Sequence, residues 1–205
     1  MQKIVFSLIL ILGATHLSKS QTSEIVKDVQ EFQKEINHEF ASKKESPLAK
    51  EYRKKFKGLD FFPIDTNYHI IAKFIRTPNQ KPFKMATTGD RSPIYEKYGE
   101  AHFTLDSIEV VLEIYQSHDL RKTEEYKDYL FLPFTDKTNG EETYGGGRYI
   151  GLGIPENDQI VIDFNKAYNP YCAYSDKYSC PLVPRQNRIL AYMRAGVKVH
   201  NTSEH

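Results

Sequence analysis

An α+β fold, mainly β, with an N-terminal helical hairpin packed on an antiparallel β-sheet or small β-barrel, is what three features of the sequence predict. Apolar residues recur at helical spacing before Gly58 and at alternating spacing after it. The later segments are joined by short, turn-rich connections with no strand-helix-strand unit, which favours antiparallel over parallel pairing. Aromatic content rests on Tyr (14) and Phe (12) with no Trp, a composition suited to sheets with one apolar and one wet face.

The chain opens with Lys3, an apolar run over residues 4–12 and a polar close at Ser18-Lys19-Ser20, the order of a signal peptide cleaved before Gln21. That run is about half of the roughly 20 residues a membrane-spanning helix needs. No Cys lies near it to carry a lipid. Sequence therefore predicts an exported protein, periplasmic or secreted, without a stable membrane anchor, in which residues 1–20 are the leader and residues 21–205 form one β-rich domain. Over residues 23–40, Ile25, Val29, Phe32, Ile36 and Phe40 fall on one helical face. Ser46-Pro47 can cap a second helix running through Leu48, Tyr52 and Phe56 to Gly58, so a hairpin of helices is expected over about 23–57.

Strands follow over about 66–199. Residues 68–75 alternate. Residues 101–105 and 108–115 form a hairpin around Asp106-Ser107, and residues 130–134 and 143–152 another around Thr138-Asn139-Gly140, whose Asn-Gly step supplies positive φ. Residues 159–164, 188–193 and, beyond a turn or bulge at Gly196, 197–199 complete the strands. Residues 77–98, with Pro78, Pro82, Gly89 and Pro93, read as a loop.

With 28 basic residues against 27 acidic ones spread along the chain, no basic stripe exists to neutralise a row of phosphates, so nucleic acid is not an expected partner. Two segments depart from plain strand composition: FTDKTNGEETYGGGRY (134–149) and DFNKAYNPYCAYSDKYSCPLVPRQN (163–187). Gly145, Gly146 and Gly147 weaken a strand unless a bulge or a close backbone approach requires them. Arg148 either pairs with Asp136, Glu141 or Glu142 across the turn, or holds a carboxylate or phosphate of a ligand. The run Asp136-x-Thr138-x-Gly140 is only loosely similar to a calcium loop and lacks its closing bidentate Glu. In the second segment Asp163, Asn165, Asn169, Tyr174 and Asn187 either scaffold irregular backbone or frame a site.

Cys172 and Cys180 are the only cysteines, and disulfide, reactive thiol and metal ligation all remain open for them. A disulfide there would contribute roughly 2.5 kcal/mol by loop closure. Their spacing is wider than that of a zinc knuckle. His38, His69, His102 and His118 are candidate bases without motif support, His200 and His205 fall in a polar tail, and Asn201-Thr202-Ser203 matches a glycosylation acceptor.

Three functional expectations follow. The first is a small-molecule or anion-binding pocket framed by the GGGRY strand and the DFNKAYNPYC loop, with Arg148 fixing an anionic group, Tyr144, Tyr168 and Tyr174 lining it, and Glu142, Asn165 and Asn169 contributing. The second is a cysteine-dependent hydrolase or thiol enzyme in which Cys172 attacks, Asn165 or Asn169 stabilises charge, and Asp163 orients a base. The third is a structural, envelope-associated protein. No cofactor is implied.

The same segments carry a resemblance. Phe56-x-Gly58-Leu59-x-Phe61-Phe62-Pro63-x-Asp65, Leu132-Pro133-Phe134-x-Asp136-x-Thr138-x-Gly140, Gly146-Gly147-Arg148-Tyr149, Asp163-Phe164-Asn165-x-Ala167-Tyr168-Asn169-Pro170-x-Cys172-Ala173-Tyr174 and Cys180-Pro181-x-x-Pro184-x-x-Asn187 resemble the bacterial and archaeal family called domain of unknown function 1684, over nearly all of the mature chain. The chain departs from the family's Ala-Gly-Glu-Lys ending, having Ala195-Gly196-Val197-Lys198. The resemblance implies a shared core and transfers no catalytic residue. Paired cysteines in relatives that look cytosolic point towards thiol or metal chemistry rather than a purely structural bridge.

Overall fold

The computed structural model describes the backbone of residues 3–199 and the side chains of residues 19–199. The tail histidines, the expected glycosylation acceptor and the first two residues of the expected leader lie outside the described residues. One long helix, α1 (Lys3–Ala41), precedes a sheet of seven strands: β1 (His69–Arg76), β2 (Phe83–Lys84), β3 (Ile94–Leu105), β4 (Ile108–Ser117), β5 (Tyr129–Phe134), β6 (Arg148–Gly153) and β7 (Gln159–Asp163). Pairing is antiparallel throughout, in the order β6-β5-β4-β3-β1-β7, with β2 also on β3.

That order forces the sheet to curl. Strands β6 and β7 are consecutive in sequence but stand at opposite ends of the path. Five strand spacings in a flat sheet would separate them by about 24 Å. The connection 154–158, even fully extended from Gly153 to Gln159, reaches only about 21 Å. The sheet therefore bends into a half-barrel with its core inside the curl, where Ala72, Leu112, Leu130, Leu132, Phe134 and Ile162 are buried. The β3–β4 turn is the one the sequence predicts, Asp106 and Ser107 both holding positive φ (46° and 67°), as a tight two-residue hairpin requires.

Five expectations are corrected, one of them the strand expected over 197–199, which is reduced to one isolated bridge between Phe61 and Val197. The helical hairpin is absent: beyond α1 there is only α2 (Lys50–Lys55), six residues with none buried. Ser46 does turn the chain, its Oγ donating to Phe40 O at 2.6 Å and accepting from Leu48 N at 3.1 Å. Leu48 and Phe56, however, fall outside the helix they were expected to line, and so short a helix cannot repay its nucleation on its own. Residues 77–98 are not all loop, since they hold β2 and the first residues of β3. The strand expected over 143–152 begins only at Arg148, so the triple glycine lies in the preceding turn.

Residues 188–193 do not form a strand either. Their alternation is real, with Ile189 and Met193 buried and Leu190 and Tyr192 exposed, but backbone pairing is sporadic, through Ile189 N to Thr135 O (2.8 Å) and Lys137 N to Ala191 O (3.0 Å). This segment plugs the open side of the curl rather than extending the sheet. Gly196 turns the chain beyond it with φ +77°.

Helix α1 lies against the barrel through Val29 and Phe40, both buried, and the Asp28–Lys166 ion pair (2.6 Å). Phe40 packs edge-on against Tyr174 (4.8 Å between centroids). Among the described residues no helix is long and apolar enough to cross a membrane.

Candidate functional site

Arg148, expected to hold an anionic ligand, does not face open space. It is 0 % exposed, and its guanidinium donates to Asp136 Oδ2 (2.9 Å), Met193 O (2.7 Å) and Ala195 O. Burial pulls its pKa down and Asp136 opposes that pull. The other oxygen of Asp136 accepts from Thr138 N (2.8 Å), Thr138 Oγ1 (2.6 Å) and Met193 N (3.2 Å). Both oxygens of this buried carboxylate are thus bonded within the protein. The ion pair ties the β5–β6 turn to the plug segment and is a structural bond.

Glu142 is equally committed, pairing on the surface with Arg194 Nε at 3.0 and 2.9 Å. Asn165 is buried and spends its side chain on Asp65 N (3.0 Å), Asp65 O (2.9 Å) and Asp163 Oδ1 (2.8 Å). Asn169 donates to Tyr174 Oη (3.1 Å) and Lys198 O (2.9 Å). These asparagines and Tyr174 secure the 163–174 loop rather than line a pocket. Asp163 does meet a base, His69, whose Nδ1 is 3.1 Å from its Oδ2. The bonds of Cys172 run instead to Tyr144, Cys180 and Thr88. The hydrogen-bond partners of Cys172 and of Asp163 thus have no residue in common.

The two cysteines are free thiols rather than a covalent bridge. They are adjacent: Cys172 N donates to Cys180 Sγ at 3.2 Å, and Tyr144 Oη stands 3.9 Å from Cys172 Sγ. Hydrogen bonding from Cys180 draws the Cys172 thiol down to about 6 against the resistance of burial, while the Cys180 thiol is pushed up. No group of three or more metal-ligating side chains occurs among the described residues.

The GGGRY and DFNKAYNPYC segments nevertheless meet, through paired backbone bonds between Tyr149 and Tyr168 (2.9 and 3.0 Å). Open space lies beyond that seam, under α1, as a cavity of about 660 Å³. Its walls include Tyr95, Tyr129 and Tyr149 from β3, β5 and β6, Tyr168 from the 163–174 loop, and Tyr126, Tyr171 and Tyr178 from other connections. Burial raises the phenols of Tyr95 (to about 12), Tyr129, Tyr149 and Tyr168, so these rings stay neutral and keep their hydroxyl protons. Helix α1 closes the cavity with Phe32 and Ile36, and Glu35 and Glu39 border it.

A second recess of about 620 Å³ adjoins it, sharing Glu35, Glu39, Tyr126 and Tyr171 and adding Glu31, Glu45, Lys34 and His38. Glu39 sits at the junction, accepting a hydrogen bond from Tyr171 Oη. Burial first, then the neighbouring Glu45, holds its carboxyl above the usual range. Of the expected lining residues only Tyr168 lies on the cavity, and Tyr144 and Tyr174 do not. The acidic edge was missed, although Glu31, Glu35 and Glu39 recur every four residues beside the Phe32–Ile36 stripe, a spacing that aligns them on one helical face.

Residues 54–198 match the family described as Protein of unknown function (DUF1684). The chain belongs to this family. Family membership covers the sheet, the thiol pair and the barrel side of the cavity, while α1 lies outside the matched span. Among solved structures, the chain is similar to the solution NMR structure of an uncharacterised protein from gene locus rrnAC0354 of Haloarcula marismortui. The two share 32% identity over 89% of this chain and 98% of that one, with a TM-score of 0.70. No curated protein matches.

Proposed function

We propose that the chain binds a small organic cation with a flat or apolar body, in the cavity between α1 and the barrel. The observation that carries this reading is the continuity of a tyrosine-walled chamber with a carboxylate-edged recess, joined at Glu39. Neutral aromatic faces attract a cation without the desolvation penalty of a buried counter-charge, by about 0.5–2 kcal/mol per good contact. Glu35 and Glu39 add Coulombic attraction at the edge, where water screens it only in part. Arg91, an exposed side chain on the same rim, selects against cations too large to turn away from it. The small-molecule half of the sequence expectation is retained, and its anionic ligand is replaced by a cationic one because Arg148 is committed to Asp136.

Calorimetric titration with phenethyltrimethylammonium, compared with uncharged 2-phenylethanol, tests the reading. The cation should bind and the alcohol should bind more weakly, and Glu39→Gln should weaken the cation by about fivefold, the equivalent of one modest charge contact. Cation binding favours ionised Glu39 and so releases its proton. Affinity should therefore rise with pH through the raised titration of that carboxyl. Equal binding of the alcohol, or no binding of either probe, would overturn the proposal. We also read residues 1–20 as an export leader, on the charge and hydropathy order of the N-terminus.

A further inference from the structure

We propose that Cys172 and Cys180 form a thiol–disulfide exchange site that reacts with small organic disulfides, Cys172 attacking and Cys180 resolving. The reading does not rest on the identity of the cavity's ligand, although Cys180 borders that cavity. Three observations carry it, and the first is proximity. The short helical turn Tyr171–Ala173 presents the Cys172 amide to Cys180 Sγ at 3.2 Å, although the residues are eight apart in sequence. Bond formation between the sulfurs then requires no rearrangement of distant elements.

The second observation is an asymmetry of anchoring. Cys180 is buried, and its strand-like segment is bonded to residues 86–88 by Thr88 N to Cys180 O (2.9 Å), Cys180 N to Thr88 Oγ1 (3.0 Å) and Leu182 N to Ala86 O (2.8 Å). Cys172 is only half-buried and stands in a turn whose backbone bonds are local, Ala173 N to Pro170 O and Tyr174 N to Tyr171 O. Thus Cys172 is the more exposed sulfur and the one a reagent in solvent meets, while Cys180 is held in the wall of the tyrosine cavity. Third, donors converge on the exposed sulfur: the Cys180 thiol and the hydroxyls of Tyr144 and Thr88 all favour its thiolate. Exchange needs a thiolate and a leaving thiol but no histidine base and no oxyanion hole, which suits a site whose cysteine bonds reach no histidine among the described residues.

In the first step the Cys172 thiolate attacks one sulfur of RSSR. The bond from Cys172 to that sulfur forms, the S–S bond of the reagent breaks, and RS⁻ leaves to take a proton from water. Cys180 then gives its proton to solvent and attacks Cys172 Sγ, expelling the second RS⁻ as the intramolecular disulfide closes. Two protein thiols are oxidised by two electrons and one RSSR is reduced to two RSH.

The test is incubation of the full chain with cystamine under argon at neutral pH, followed by acid quench, alkylation and intact mass. Wild type should lose the mass of two hydrogens and retain no adduct. Cys180→Ser should accumulate one cysteamine adduct, mapped to Cys172, whereas Cys172→Ser should react about tenfold more slowly or less. In Cys180→Ser the hydrogen bond from Cys180 is gone, so the pH profile is read on wild type, where the rate should level off above about 6. Circular dichroism checks that each variant folds. If either does not, limiting iodoacetamide on the wild type replaces it, and Cys172 should be labelled about tenfold ahead of Cys180. A wild type that keeps its adduct without closing, or labelling that favours Cys180 or neither, would overturn the proposal.

Discussion

Arg148 illustrates why a residue's chemistry does not announce its use. A guanidinium behind three glycines has the right shape to grip a ligand carboxylate. Here the carboxylate it grips is Asp136, at 2.9 Å and with both side chains out of water. Breaking such a pair from one side leaves a buried charge with no partner, at a cost of about 3–5 kcal/mol. Arg148→Ala should therefore unfold at a much lower denaturant midpoint, and it should do so equally with or without any ligand. The cysteines behave differently at this scale, because nothing in their surroundings commits them to one fate. They are adjacent thiols, one anchored and one accessible, which is a reactive arrangement rather than a packed one.

At the scale of elements, the turn between β5 and β6 is where the glycines act. Gly147 has φ +91°, and a Cβ placed there would sit 2.6 Å from Val183 Cγ2 and 2.7 Å from Phe134 O. The conformation and the close approach both exclude a side chain. Gly147→Ala should lower stability by more than the ~1 kcal/mol that positive φ alone costs, seen as a shift in thermal midpoint without a change in the denaturant m-value. Glycine clustering was legible in the sequence as a close approach, but its place in a turn was not. The reason is that Thr138 O gathers the amides of Glu141, Glu142 and Thr143 (3.2, 2.9 and 3.0 Å), a knot of local bonds that ends the pairing before the strand can extend back to residue 143. The second helix fails for a related reason: Lys50–Lys55 carries helix-forming residues but no buried face to reward them.

For the whole molecule, the arrangement that matters is α1 laid across one end of a curled sheet. Its first buried contact in the described region is at Val29, and residues 19–24 are exposed. A chain beginning at Gln21, as leader cleavage would produce, should therefore keep the melting temperature of a chain with residues 1–20 retained. A drop of several degrees would show that the leader packs on the fold. The same placement of α1 makes the cavity, since the barrel's tyrosines alone would be an open wall.

Several features were determined by the sequence alone. The β1, β4, β5 and β7 segments, the second half of β3, the Asp106-Ser107 hairpin and the part of the first helix beyond residue 23 follow from periodicity and turn chemistry, because those signals act between residues close in the chain. Family membership was legible too, in runs such as Asp163-Phe164-Asn165 and Cys180-Pro181. Only the tertiary structure decided that Arg148 is spent on Asp136, that Asp163 pairs with His69, and that carboxylates of α1 face tyrosines more than fifty residues away. Those outcomes depend on which partners arrive across space to satisfy a buried charge or close a cavity, and local spacing carries no record of them.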